Sequence, residues 1–383
     1  MRKSRPEGPT PVGTPIGAAE QVVVGPAGGA FTTSDSRLKL EFPVGALTAQ
    51  TAITIQPVED HCPAATGIAY LITPHDISFQ KPVKLTMSYG DSDVVNTIPI
   101  ALTIAYQDAS GVWQAQGNMT KDTINHQVSV LTNHFSSWAL FRAVELSPNS
   151  TVVQPGGSTQ LVAFKYADVD SLFIPIPGPL AKKDLIVKEW SLSGAGKLTP
   201  NKDLANYTAP NAIPAKNPVA VSATLNTTGP EKFLLVSNIY IGDEGLTFRI
   251  DNGPWMHGLS DGAFFNGYYN EFIAANSTTH QADGVTITWT GDSHLIGFVG
   301  WRITWPSFLY GETPTTNYTQ LLLPSGKPSP GGIDFHQAFN TPATPYVIGT
   351  FYLQPAQKTE VSPGSIPKVS THKIEGFFKV KWK

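Results

Sequence analysis

Cysteine occurs once in this chain, at Cys62. That excludes an intrachain disulfide framework, and with it any metal site built on two thiolates. A lone cysteine among β-domains reads as a small buried apolar residue. Charge is also thin: 14% of residues are charged, against about 25% in an ordinary globular chain. The formal net charge of −3 and a pI near 6.3 leave no basic surface for nucleic acid or an anionic membrane. No apolar run reaches the ~18 residues of a membrane-spanning helix, so no transmembrane segment is expected. No stretch keeps an apolar 3.6-residue period over several turns, which excludes a helical core.

What fills the chain is turn formers and β-branched residues. Glycine and proline number 34 and 32 among 383 residues, and Thr, Val, Ile and Ser outweigh the helix-forming Lys, Glu and Ala. The expected fold is all-β. A length of 383 residues suggests several domains at roughly 100–200 residues each. The division read here is a Pro/Gly-rich linker over 1–18, then three consecutive β-sandwich-like domains over 19–142, 143–241 and 242–383, the last a sandwich or a barrel. Met1–Arg5 is basic like the start of a signal peptide, but Pro-Glu-Gly-Pro-Thr-Pro follows where an apolar core belongs. No signal peptide is visible, and the segment reads as a linker or the remnant of a longer precursor, on which a lipid anchor is possible.

In the first region apolar residues alternate over short segments: Leu38, Leu40 and Phe42; Ile53 and Ile55; Val83, Leu85 and Met87; Leu102, Ile104 and Tyr106; Val128 and Val130. Gly, Pro, Asn and Asp separate them, which is the pattern of a sandwich. Gly28-Gly29, Leu38-x-Leu-x-Phe-Pro-x-Gly-Ala-Leu47, Tyr70-Leu-Ile-Thr-Pro74, Phe79-Gln-Lys-Pro-Val83, Gly111-Val-Trp113 and His134-Phe-Ser-Ser-Trp138 fall in the order of ZU-five domains. Residues of about 20–142 resemble the bacterial version of that family. The resemblance implies a β-sandwich on a secreted or surface protein, and in some animal relatives the His-Phe-Ser triplet is a self-cleavage site.

The chemistry of His134-Phe135-Ser136 is readable directly. Ser136 would attack the Phe135 carbonyl to form an ester, His134 would take the hydroxyl proton, and water would complete the hydrolysis. A strained turn is required for that acyl shift. The competing reading is an ordinary closing strand, with Phe135, Trp138 and Leu140 in the core. His61-Cys62 and His75-Asp76 are too few and too ill-spaced for a metal site.

The second region carries Glu189-Trp190, a Gly-rich turn, Asn206-Tyr-Thr-Ala-Pro210 and Val219-Ala-Val-Ser-Ala-Thr-Leu225. These resemble bacterial immunoglobulin-like modules, with Trp190 as the buried tryptophan and spacing as the implied role. Gly194-Ala-Gly-Lys197 lacks the leading glycine and the following Ser or Thr of a phosphate loop, and reads as a β-turn.

The third region holds five of the eight tryptophans: Trp255, Trp289, Trp301, Trp305 and Trp382. One strand is expected through residues 298–305, with Val299, Trp301, Ile303 and Trp305 on one face. Phe378, Val380 and Trp382 form a final strand. Its overall pattern is similar to C-terminal domains of Bacteroidetes-type lipoproteins. Trp255, Tyr268 and Tyr269 stand among amides and carboxylates, the mixture that stacks on and hydrogen-bonds to sugars. No paired carboxylates or clustered histidines emerge for an external substrate, and no cofactor is expected. The leading reading is therefore a non-enzymatic bacterial protein, extracellular or at the outer cell surface, engaged in adhesion, envelope assembly or binding of a glycan or surface protein. The rivals are self-cleavage between Phe135 and Ser136 with the fragments staying associated, and a polysaccharide hydrolase in the last region.

Overall fold

The computed structural model describes residues 8–91, 93–94, 96–169, 174–184, 187–226, 232–265, 267–275, 284–290, 297–337 and 345–383. The fold is all-β. Among the described residues there is one 3-10 turn, Pro99–Ala101, and no α-helix. No described helix is long and apolar enough to cross a membrane.

Up to Arg142 the strands make two facing sheets. One runs in the order Glu20–Val24, Thr51–Glu59, Ala65–Thr73, Ser137–Arg142, Leu102–Gln107 and Trp113–Ala115. The other runs Gly29–Thr32, Leu38–Phe42, Val83–Ser88, Gln127–Thr132 and Thr120–Asp122. The alternation in the sequence is the cause: Leu38, Leu40 and Phe42 are buried while Lys39 and Glu41 between them are half-buried, because successive strand residues point to opposite faces. Leu40, Ile53, Ile72, Leu85, Ile104 and Trp138 meet between the sheets, all fully buried.

The next two sheets consist of Val144–Ser147, Ser158–Lys165, Leu204–Thr208 and Lys197–Asn201, facing Ser150–Val153, Leu234–Ile241, Val219–Leu225 and Val187–Ser193. Their core is Leu161, Tyr207, Val221 and Ile239. Trp190, expected in the core, is half-buried, and its indole N–H donates to the Lys202 carbonyl at 2.8 Å. Gly194 and Gly196 have φ of 129° and 105°, so the turn before Lys197–Asn201 takes a conformation that glycine alone adopts without strain.

The seam between these sandwiches is apolar. Val58, Cys62, Trp113 and Phe141 from one side pack with Tyr166 and Leu180 from the other. The Pro-rich residues 174–180 add a strand segment, Gly178–Pro179, to the edge at Trp113–Ala115. Leu180 N–H donates to the Trp113 carbonyl at 2.9 Å. An edge strand leaves backbone groups unpaired, and the loop covers them.

The last region closes into a barrel, settling the choice left open by the sequence. Its circuit is Gly245–Ile250, Met256–Phe265, Asn270–Ala275, Gly284–Trp289, Ser307–Thr313, Thr316–Thr319, Tyr346–Glu360 and Lys368–Lys381, which pairs back to Gly245–Ile250. Two strands of 15 and 14 residues form the spine. The first of them changes neighbour along its length, pairing with Gly331–Gln337 at one half and Thr316–Thr319 at the other. In the spine Gly349 faces Phe378 and Phe351 faces Gly376. A Cβ on Gly349 would stand 2.6 Å from the Phe378 ring, and one on Gly376 would stand 2.6 Å from the Phe351 ring. Each glycine therefore clears a place for a fully packed ring. Trp289, Phe272, Phe335 and Phe378 fill the interior.

The strand expected through residue 305 ends earlier. Gly297–Gly300 pairs with Gly331–Gln337, after which Arg302 N–H donates to the Pro306 carbonyl at 3.1 Å and turns the chain. Pro306 has no N–H to continue a ladder. Trp301 stays buried, while Ile303 is 66% exposed.

Candidate functional site

The triplet His134-Phe135-Ser136 lies in the bend between Gln127–Thr132 and Ser137–Arg142. Phe79 N–H holds the bend by donating to the Asn133 carbonyl at 3.0 Å, and Ile72 N–H donates to the Ser136 carbonyl at 2.9 Å. Phe135 is buried edge-on between Phe42 and Phe79, with ring centroids 6.2 and 4.8 Å away. Ser136 is buried, and its hydroxyl donates to the Gln107 carbonyl in a very short bond.

His134 turns elsewhere. Its imidazole stands edge-on to Tyr106 at 4.7 Å and tilted against Trp138 at 5.6 Å. Its Nδ1 lies 3.4 Å from Thr132 Oγ1, and its Nε2 is buried without a hydrogen-bond partner among the described residues. Burial, with the charge of His75 adding, holds its pKa below the ordinary histidine value. His134 is therefore neutral at pH 7 and suited to accept a proton, but the structure does not bring it to the Ser136 hydroxyl. None of residues 134–136 has a positive φ.

The triplet lines a cleft of about 390 Å³ with Thr10, His75, Tyr106, Asp108 and Gly111. Thr10 is tied in by Gln107 and Trp113, whose side-chain N–H groups donate to its Oγ1 at 3.0 Å each. Hydrogen bonds from the Ser110 and Gln114 side chains, with backbone N–H groups of Val112 and Ser110, push Asp108 down to about 2. His75 was weighed in the sequence only as a metal ligand and Thr10 not at all; their distance along the chain from His134 hid their place in this cleft.

The three aromatic candidates separate. Trp255 is half-buried where the second sandwich meets the barrel, 6.4 Å from Tyr240 and 5.6 Å from Phe377, with the Arg249 guanidinium 4.6 Å over its ring. Burial pushes the neighbouring Tyr240 hydroxyl up to about 12. Tyr268 and Tyr269 stand at the other end of Met256–Phe265, a strand of 10 residues and hence about 30 Å long.

At that rim Tyr268 is 82% and Phe265 63% exposed. Tyr269 lies against Trp305 with ring centroids 4.9 Å apart and planes 32° from parallel. The hairpin places them together, since Phe264 pairs with Glu271 and Phe265 with Asn270. Trp305, expected on one strand face with Val299, Trp301 and Ile303, is the rim partner instead, because the chain leaves the sheet before it. A half-open cavity of about 180 Å³ at the barrel is lined by Leu246, Phe248, Met256, His257, Gly258, Ala274, Val285 and Tyr310. Among the described residues no three metal-binding side chains cluster. No family model and no curated protein sequence matches this chain.

Proposed function

We propose that this is a modular protein of the bacterial envelope, extracellular or surface-held, that works by binding, and that the aromatic rim of the barrel is its ligand platform. The observation that carries the reading is the rim itself. Tyr268 and Phe265 present apolar rings to water, and the Tyr269–Trp305 pair beside them offers a rigid aromatic face. Large exposed apolar patches mark interaction sites, and aromatic faces among amides and carboxylates suit the C–H faces and hydroxyls of sugars.

The two sandwiches below then serve as a stalk. Their apolar seam and shared edge strand support that role. The first sandwich is taken as ZU-five-like and the second as immunoglobulin-like on the motifs in the sequence. The separation of His134 from the Ser136 hydroxyl favours the closing-strand role of that triplet over self-cleavage.

The test is titration of a panel of soluble envelope oligosaccharides, peptidoglycan fragments included, read by tryptophan fluorescence. A saturable change is expected, weakened roughly 5- to 10-fold by Tyr268→Ala or Trp305→Ala, the scale of one aromatic contact. Binding that survives the double variant, or no saccharide bound at all, would sink the platform.

A further inference from the structure

The rim opposite the aromatic platform carries a hydrogen-bonded chain of three side chains. Ser370 and His372 are two apart on the strand Lys368–Lys381, so they share a face. Asp251 follows the strand Gly245–Ile250, whose last residue pairs with Ile374. Ser370 Oγ lies 2.8 Å from His372 Nε2, and His372 Nδ1 lies 2.5 Å from Asp251 Oδ2. The carboxylate is fixed from behind: Lys373 N–H donates to Asp251 Oδ1 at 2.8 Å, and Asp251 N–H donates to the Lys373 carbonyl at 2.9 Å. Asp251 and Asn252 have φ of 49° and 60°, the tight-turn geometry that aims the carboxylate back across the strand.

These contacts set the roles. A carboxylate on Nδ1 keeps the proton there, which leaves the Nε2 lone pair toward the Ser370 hydroxyl. Burial raises the Asp251 pKa, but the bonds from His372 and from Lys373 N–H outweigh it and hold the carboxyl below its ordinary value, hence ionised. Tyr318 stands edge-on to the imidazole at 5.6 Å. Lys358 lies directly across from Ser370 on the neighbouring strand, so its side chain emerges on the same face of the sheet. Its ammonium is steadied by Glu312 at 3.2 Å and Glu360 at 3.1 Å.

We propose that Ser370, His372 and Asp251 hydrolyse esters of small acyl groups. Ser370 is the nucleophile, His372 the general base and acid, and Asp251 the positioning residue. Ser370 Oγ bonds to the ester carbonyl carbon while its proton passes to His372 Nε2. The carbon–oxygen bond to the alcohol breaks, and the alcohol leaves with that proton. Water then attacks the acyl-Ser370 ester, giving its proton to His372, and the carboxylic acid departs as Ser370 Oγ takes the proton back. Ser370 is exposed, so the alcohol is unrestricted in size and can be a polymer. The acyl group must approach a face shared with Lys358 and Tyr318, which keeps it short. The sugar platform at the other rim is not needed for this activity.

The experiment uses the full chain with p-nitrophenyl acetate and, separately, a fluorophosphonate probe read by intact mass. Nitrophenolate release at least ~100-fold faster than in Ser370→Ala is expected, at the low end of what a positioned base contributes, with one adduct mapping to Ser370. His372→Gln should lose both signals. Asp251→Asn should weaken them and Asp251→Glu restore them in part, a rescue that a purely structural carboxylate would not give. Equal release by wild type and Ser370→Ala, or an adduct that persists in Ser370→Ala, would overturn the assignment.

Discussion

Two pairs of serine and histidine stand two residues apart in this chain, and they end in opposite states. His134 and Ser136 sit in a bend between strands, where the backbone turns the hydroxyl to the Gln107 carbonyl and the imidazole to Tyr106 and Trp138. Ser370 and His372 sit within a regular strand, where a spacing of two puts side chains on one face, and they are hydrogen-bonded. The first pair is largely buried among packed side chains. The second is at a rim, with Asp251 behind it. Spacing along the chain is thus a weak guide to chemistry until the local backbone is known.

Substitutions that break the contrast differ in size. Phe135→Ala removes a ring packed between Phe42 and Phe79 and should cost about 3–5 kcal/mol. Urea unfolding checks it, and a loss under ~1 kcal/mol would show that Phe135 is not the anchor described. Ser136→Ala strips a buried donor from the Gln107 carbonyl and should cost about 1–3 kcal/mol, measurable in the same way.

The histidine of the first pair gives a pH test. Burial lowers the pKa of His134 in the folded chain, so the unfolded chain binds that proton more tightly. Stability is then intact above the unfolded value of roughly 6.5 and is lost as pH falls through it toward the folded value. His134→Gln should flatten that part of the slope, read from unfolding midpoints at about pH 7.5 and about pH 5.5; an unchanged slope would count against the buried neutral imidazole. Ser370→Ala, at an exposed position, should shift stability by no more than about 0.5 kcal/mol. A larger loss in thermal unfolding would recast the rim chain as a structural fastening.

Much of the architecture was legible. Alternation located the strands around Leu38–Phe42 and the final strand bearing Phe378 and Val380, because half-buried strands must alternate. The premature end of Gly297–Gly300 was not, since Trp301, Ile303 and Trp305 keep the alternation past the turn that Arg302 and Pro306 close. Tyr268 and Tyr269 could be marked from composition, but their partner Trp305 depended on that turn. The rim chain was hidden more deeply. Ser370-x-His372 is a common spacing, and Asp251 joins it only through the pairing of the first and last barrel strands. The signal that existed was a polar Ser-Thr-His stretch opening a long strand, beside an Asp-Asn-Gly turn.

The most direct measurement is the intact mass of the full chain, under denaturing conditions, after exposure to a fluorophosphonate. The expected result is one full-length species carrying a single adduct, absent from Ser370→Ala. Fragments ending at Phe135 and starting at Ser136, or a full-length chain without any adduct, would contradict the assignment of reactivity to the rim and packing to the bend.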